Sequence, residues 1–430
     1  MTNRHGTVWY GDRQVGTLRE DEDRLLRFDY DTGWLDNGGF PISIHLPLSN
    51  GDEEVNAHAF FEGLLPEGKV RQRICRKLGI TLEDDTGLLL AIGEDCAGAL
   101  SILPAGVSPG AERAQPEKMT MDQIDRLIRL LGEETSAVTG LNQRFSLAGV
   151  QEKQPVIFDG ESYALPDRAN PSSHILKFET VRRVCFAEYI ANDMARLIDL
   201  PVVATEFLQS VKSDEAVPYL RIERYDRERD ASGNLIRLHQ EDLLQALGEP
   251  TIFKYQHDGG PSIKDVAEVL RENTAWPINA LSHLRDWQIF NYLIGNLDGH
   301  GKNLALLYAP DQAVPILAPF YDLVAIEFLN LVRPGTWSRD MSFFIGEHYM
   351  PEQITRADWV AFAKDLGMPP KRLLERLEEL AAYLPEVAGN AHQAFTETHG
   401  DELVYDRLEE SVSRRCRWTL NSVFANRPAN

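Results

Sequence analysis

Three side chains in this 430-residue sequence have the chemistry to handle a phosphate ester together with a divalent cation: Asp298, Asn303 and Asp322. Asp298 and Asn303 lie in NLDGHGKN, where two glycines let the chain turn tightly after an apolar run. Asp322 closes a later segment, APFYD. Carboxylate and amide oxygens are the hard donors that Mg²⁺ takes, with water and substrate phosphates filling its remaining positions. A nearby carboxylate can orient or deprotonate a hydroxyl nucleophile. On that chemistry Asn303 and Asp322 are candidate metal ligands and Asp298 is a candidate base. Lys302 is a candidate cation for neutralising a transferred phosphoryl group. Taken alone, NLDGHGKN also reads as a plain polar turn.

Elements must bring these residues together. In LRDWQIFNYLIGNL, Leu284, Trp287, Phe290 and Ile294 recur at helical spacing, which predicts a helix with one apolar face that delivers the chain to Asp298. LALLYAP reads as a strand, Asp311 as part of a turn, and VPILAPFYD as the returning strand, so Asn303 and Asp322 are expected to be neighbours. Protein kinases use this order: a catalytic-loop Asp, an Asn five residues on, then a strand pair leading to a metal-binding Asp. His300, between glycines and with no second histidine nearby, reads as a loop-stabilising residue rather than a metal ligand. SLAGVQEK is a small-residue turn before the strand KQPVIFDG, and its backbone N–H groups suit phosphate. Lys177 in the apolar strand SHILKFE needs a partner, either a nucleotide phosphate or, by snorkelling, water. Glu188 lies opposite the apolar stripe of Phe186, Ile190, Met194 and Leu197 and reads as a surface glutamate. PYLRIERYD ends in charged residues and suits a hinge where adenine meets backbone.

Composition narrows the class. With 44 basic and 66 acidic residues the net charge is −22, which disfavours nucleic-acid binding by bulk electrostatics. The cluster Arg414, Arg415 and Arg417 reads as a solvated helix face. Cys75, Cys96, Cys185 and Cys416 are scattered without metal spacing and read as free, mostly buried thiols. MTNRHGTVWYGDR lacks the apolar stretch of a secretory signal, and no run is long enough to span a bilayer; a cytoplasmic protein with no membrane partner is expected. PAGVSPGAERAQPEK reads as a linker. Before it, GTVWYGDRQVGTLRE predicts a hairpin within a small α+β unit; after it come a strand-rich lobe and, from about residue 240, a mostly helical one. The expected division is 1–110, 111–225 and 226–430.

SLAGVQEK, RIERYD, QEDLLQALG, KYQHDGGP, NLDGHGKN and APFYD, in this order, together with FFEGLLPEG and GEDCAGAL, resemble the HipA family, the serine/threonine kinase toxins of HipA–HipB toxin–antitoxin modules. The resemblance covers nearly the whole chain. It implies an α+β, two-lobed protein-kinase-like fold with an additional N-terminal subdomain, and an ATP- and Mg²⁺-dependent serine/threonine protein kinase. By the family pattern Asp298 is the catalytic base, with Lys302 beside it, and Asn303 and Asp322 hold Mg²⁺. The backbone of Ala148, Gly149, Val150, Gln151, Glu152 and Lys153 and the side chain of Lys177 would meet ATP phosphates. Glu223, Arg224 and Tyr225 would lie near adenine, and His300, Lys302 and Tyr321 complete the nucleotide-contacting set. Ser146 matches the autophosphorylated loop serine. The metal motif reads FYD where many kinases have DFG.

The implied partners are a protein substrate, such as an aminoacyl-tRNA synthetase, and a HipB-like helix-turn-helix antitoxin dimer. That antitoxin would form a heterotetramer with the toxin and carry it to operator DNA. A catalytically inactive co-repressor and a small-molecule phosphotransferase are the competing readings. Retention of Lys177, Asp298, Asn303 and Asp322 together argues against an inactive copy.

Overall fold

The hairpin expected in GTVWYGDRQVGTLRE forms, with Tyr10 paired to Arg13 across Gly11-Asp12 and a register shift between Val8 and Trp9. The computed structural model describes residues 4–48, 55–110, 115–132, 153–167, 169–210, 216–310 and 314–424. Ser146, Ala148, Gly149, Val150, Gln151, Glu152 and Asp311 lie outside the described residues. Two compact units share the chain: Met1–Arg182 with Ala204–Thr251 and Ala305–Ala318, and Arg183–Val203 with Ile252–Leu304 and Pro319–Asn430.

The first unit holds all four sheets of the described residues, one of them the two-stranded pair Arg227–Arg229 and Leu235–Arg237. Val55–Asn56, Leu26–Tyr30, Arg13–Glu20, His5–Tyr10 and Leu100–Pro104 lie side by side in that order, all antiparallel. Their inward residues Val8, Leu18, Leu26, Phe28 and Ile102 bury against Trp34, Phe60, Phe61, Leu88 and Leu89, as alternation on a half-buried sheet requires. A second antiparallel sheet has the order Tyr163–Ala164, Lys153–Phe158, His174–Phe178, Pro218–Glu223, Thr205–Gln209. Each of these strands falls in a segment expected to be β. The helix Met121–Gly132 packs Ile124, Leu127 and Ile128 on this sheet, against Val156, Leu176, Phe178 and Tyr219.

The third sheet joins His239–Asp242 to Ala305–Tyr308 and Ile316–Leu317. His239–Asp242 corrects the helical reading from about residue 240. Its polar sequence carries no strand period, and its conformation comes from pairing His239 with Tyr308 and Asp242 with Ala305. Asp242 then caps the short helix Leu243–Leu247 through a capping box with Gln245.

The second unit is helical. Pro277–Ile294 buries Leu284, Trp287, Phe290 and Ile294 as expected, but also Asp286, Gln288, Asn291 and Tyr292. It is therefore a central helix, covered on more than the one face its stripe predicts. Val184–Leu197 packs on the long helix Pro370–His399 and on Ile326–Val332. Glu188, on the face opposite Phe186, is also completely buried, against the surface position expected for it. In the arginine cluster Arg414 and Arg417 are exposed, as a solvated face requires, and Arg415 alone departs from it. Arg415 is buried, donating to Glu327 at 2.7 Å, and Arg414 donates to the same carboxylate at 2.9 Å. Burial alone would raise Glu327, but the two guanidiniums hold it below the usual carboxylate range. All four cysteines are buried thiols outside any disulfide. Among the described residues no helix is long and apolar enough to cross a membrane.

Candidate active site

Gly295 ends the central helix with φ 72°, and a Cβ there would lie 2.5 Å from that of Glu327. The Glu327 N–H donates to the Gly295 carbonyl at 2.9 Å, fixing the exit of the chain. Asn296 then braces the loop: its Nδ2 donates to Asn291 Oδ1 at 3.0 Å, and its Oδ1 accepts from the Asp298 N–H at 3.3 Å. The Leu297 carbonyl takes both the N–H and the hydroxyl of Ser342, at 3.2 and 3.0 Å. Asp298 emerges exposed from this clamped, buried approach. An accessible carboxylate on a rigid base is what a general base needs.

Past Asp298 the loop is buried again. Gly301–Asn303 forms a single 3₁₀ turn, closed by the Asn303 N–H on the His300 carbonyl at 2.9 Å and by the His300 N–H on Asn303 Oδ1 at 2.9 Å. Because a backbone N–H donates to it, that atom is the amide oxygen, and a second lone pair is left for a cation. The His300 backbone thus closes the loop from both of its polar groups. Lys302 is buried, and its carbonyl accepts the Tyr321 hydroxyl at 2.7 Å.

The Tyr321–Lys302 bond ties the segment carrying Asp322 to the loop carrying Asn303, the adjacency expected from the hairpin. The FYD segment is pinned on its other side, with Phe320 N donating to Pro201 O at 2.7 Å and Val203 N donating to Phe320 O at 3.0 Å. Asp322 takes a left-handed φ of 57°, one of four non-glycine residues to do so among those described. Such a conformation persists where the surroundings enforce it, commonly at functional positions. Among the described residues no group of three or more His, Cys, Asp or Glu forms a metal cage. A two-ligand site completed by water and phosphate fits the donors present better than a cage does.

In the first unit, Lys177 sits mid-strand and only 3 % exposed, so its ammonium does not snorkel to water. Lys153 pairs with it in register across the sheet. Glu223 ends its strand exposed. The Arg224 side chain is occupied elsewhere. Its guanidinium donates to both Asp226 oxygens at 2.9 and 2.7 Å, to the Ser172 hydroxyl at 2.8 Å and to the Cys96 carbonyl at 3.2 Å. Only its backbone is left for a nucleotide. The Tyr225 hydroxyl bonds Gln240.

Arg224 belongs to a buried cluster that sequence reasoning missed, with Asp95, Asp226, Arg227 and Arg237. Burial alone would raise Asp95, but Arg227, Arg224 and Arg237 together hold it below the usual carboxylate range. RIERYDRERD shows the charges without showing that Asp95 meets them.

A strand-rich unit with a buried mid-strand lysine, and a helical unit with an exposed loop aspartate tied to a second acidic segment, define a kinase-like α+β protein. Residues 145–388 match the HipA-like C-terminal domain, and residues 6–103 the HipA N-terminal domain. The chain belongs to the HipA family of serine/threonine-protein kinases. Y4mE of Sinorhizobium fredii is 34% identical over 98% of this chain and 100% of its own. The serine/threonine-protein kinase toxin HipA of Shewanella oneidensis is 27% identical over 87% of this chain and 86% of its own. In fold, the chain resembles the Shewanella oneidensis HipA solved with HipB and operator DNA, at TM-score 0.83 and 24% identity, over 99% of this chain and 100% of that one.

Proposed function

We propose that this protein is the toxin of a toxin–antitoxin module, an ATP- and Mg²⁺-dependent kinase that phosphorylates a serine or threonine of a translation component such as an aminoacyl-tRNA synthetase. The observation that carries the reading is the exposed Asp298 on a clamped loop, with Asn303 and Asp322 flanking the Tyr321–Lys302 bond. Asp298 accepts the proton of the acceptor hydroxyl as its oxygen attacks the γ-phosphorus. The bond from that phosphorus to the β–γ bridging oxygen breaks, and ADP leaves with the electron pair. Asn303 and Asp322 would hold Mg²⁺, which supplies charge neutralisation along the phosphates. Lys302 offsets charge near the transferred group.

Lys177 and the backbone of Ala148 to Lys153 are assigned to phosphates, the Glu223–Tyr225 backbone to adenine, and His300 and Tyr321 to the walls of the site. Residues 1–110, 111–225 and 226–430 serve as N-terminal subdomain, nucleotide lobe and catalytic lobe. A HipB-like antitoxin dimer neutralises the kinase within a heterotetramer and brings it to operator DNA, since an acidic chain of net charge −22 gains little from DNA itself. Phosphorylation of Ser146 would add about −1.5 to −2 charge beside the triphosphate and inactivate the enzyme.

Mg²⁺–ATP is expected to raise the melting temperature, and Asp322→Ala to lose the Mg²⁺-dependent part of that shift. Asp298→Gln is expected to keep the shift while losing ~10²–10⁴-fold of the phosphoryl-transfer rate. The test is incubation with γ-labelled ATP and a cell lysate, followed by identification of every labelled protein and mass spectrometry at Ser146. Nucleotide binding with no labelled protein would favour the co-repressor reading. A wild-type rate in Asp298→Gln would remove that residue from the mechanism.

A further inference from the structure

KYQHDGGP lies 35 or more residues before the catalytic loop in the sequence, and none of the roles above uses it. Its fold is specific. The Gly260 N–H returns to the Tyr255 carbonyl at 3.1 Å, and a Cβ on Gly260 would sit 1.9 Å from the Phe253 carbonyl oxygen, so only glycine closes this turn. The turn is then fastened to residues 342–344. Gln256 donates its N–H to the Ser342 carbonyl at 3.0 Å, and its side-chain oxygen accepts the Phe344 N–H at 2.9 Å.

Ser342 is the same residue whose N–H and hydroxyl hold the Leu297 carbonyl. One anchor therefore fixes both the KYQHDGGP turn and the residue before Asp298. The result is a direct bond: the Tyr255 hydroxyl donates to Asp298 Oδ1 at 2.8 Å. The phenol ring is itself held, stacked on His257 at 5.5 Å and 17° and edge-on to His300 at 5.5 Å and 70°.

We propose that Tyr255 is a positioning residue for phosphoryl transfer, its phenol holding the Asp298 carboxylate in one rotamer by occupying Oδ1. An exposed aspartate otherwise samples several staggered side-chain states. A charge-assisted bond from a fixed donor selects one of them and leaves Oδ2 as the oxygen that takes the acceptor proton. Misplacing a reacting group by even an ångström is enough to cost rate, without any change in nucleotide binding. The inference rests on Asp298 being the base, and the experiment separates the two.

Tyr255→Phe removes the hydroxyl and keeps the ring. Its initial rate of label transfer from Mg²⁺–ATP to the protein itself and to a fixed lysate is expected to fall about tenfold at saturating ATP. The half-saturating ATP concentration and the melting temperature are expected to stay at their wild-type values. Tyr255→Leu, which also removes the ring, should lose a similar rate and melt earlier. Asp298→Asn, run in parallel, should lose transfer whatever Tyr255 does. Wild-type transfer by Tyr255→Phe beside an inactive Asp298→Asn overturns the positioning role alone. A rate loss in Tyr255→Phe matched by a lower melting temperature or weaker ATP saturation assigns the tyrosine to structure and overturns it too. Wild-type transfer by Asp298→Asn removes the base assignment, and the positioning role with it.

Discussion

Glu241 and Asp298 are both acidic and have opposite fates, exposure for one and complete burial for the other. The Glu241 Oε1 accepts the Tyr308 hydroxyl at 2.5 Å and the Ile44 N–H at 3.1 Å. Burial pushes its carboxyl up from 4.5 to about 7, with the bonds from Ser43, Tyr308 and Ile44 only partly offsetting that rise. A raised acid is most favourable to the fold while it keeps its proton. Its contribution is fully present below the unfolded value near 4.5 and is lost as pH rises through about 7. A shift of this size corresponds to roughly 3 kcal/mol between those limits. Glu241→Gln mimics the protonated form with an oxygen that accepts the same two bonds. Urea denaturation of both proteins at pH 5 and pH 8 checks this: the glutamine variant should gain on wild type as pH rises. An unchanged difference between the two would mean that Glu241 does not titrate with folding.

Elements explain what the sequence discloses and what it hides. The Asp298 loop was legible because its chemistry is local, with aspartate, glycines and asparagine inside eight residues of one another in NLDGHGKN. The strands of the second sheet were legible from their apolar runs and turn residues. The strand His239–Asp242 was not, because its partner Ala305–Tyr308 is distant in sequence and its own residues lack alternation. Glu188 was misplaced because a helical stripe identifies one buried face and is silent about a second. Tyr255 was missed because its partner lies 43 residues away. Gly295 is the element boundary on which the site depends most. An alanine there must adopt φ 72° and meet the Glu327 Cβ at 2.5 Å. The left-handed conformation alone costs about 1–2 kcal/mol. Gly295→Ala should lower the denaturation midpoint by at least that much and reduce phosphoryl transfer, since Leu297 and Asp298 follow directly. Gly106, also left-handed but with open space around its Cβ position, is the control, and its alanine variant should lose stability without losing transfer.

At the scale of the whole molecule, residues 1–110 share one compact unit with the strand-rich lobe, and the buried ion cluster is the chemistry that joins them there. Asp95 comes from the N-terminal part; Arg224, Arg227 and Arg237 come from the chain around the end of the second sheet. Its Oδ1 accepts from Arg227 at 3.0 Å and its Oδ2 from the Ser172 hydroxyl at 2.7 Å. Asp226 is already shared, its two oxygens accepting from Arg224 and from the Gly98 N–H at 2.7 Å. Arg227 Nη1 lies 3.0 Å from its Oδ2, so it has no further oxygen to offer in place of Asp95. Asp95→Ala would leave three buried guanidiniums facing one carboxylate. Removing one partner of a buried pair typically costs about 3–5 kcal/mol, more than the pair contributes over an apolar replacement. Asp95→Asn removes the charge and keeps an oxygen for Arg227, so it should fall between wild type and alanine. The cluster also fixes Arg224 and Tyr225, the backbone assigned to adenine. Asp95→Ala should therefore weaken the ATP-induced thermal shift as well as lower the denaturation midpoint. Denaturation with and without Mg²⁺–ATP checks both effects. Equal midpoints for wild type, asparagine and alanine would mean that Asp95 contributes nothing to holding the two parts together.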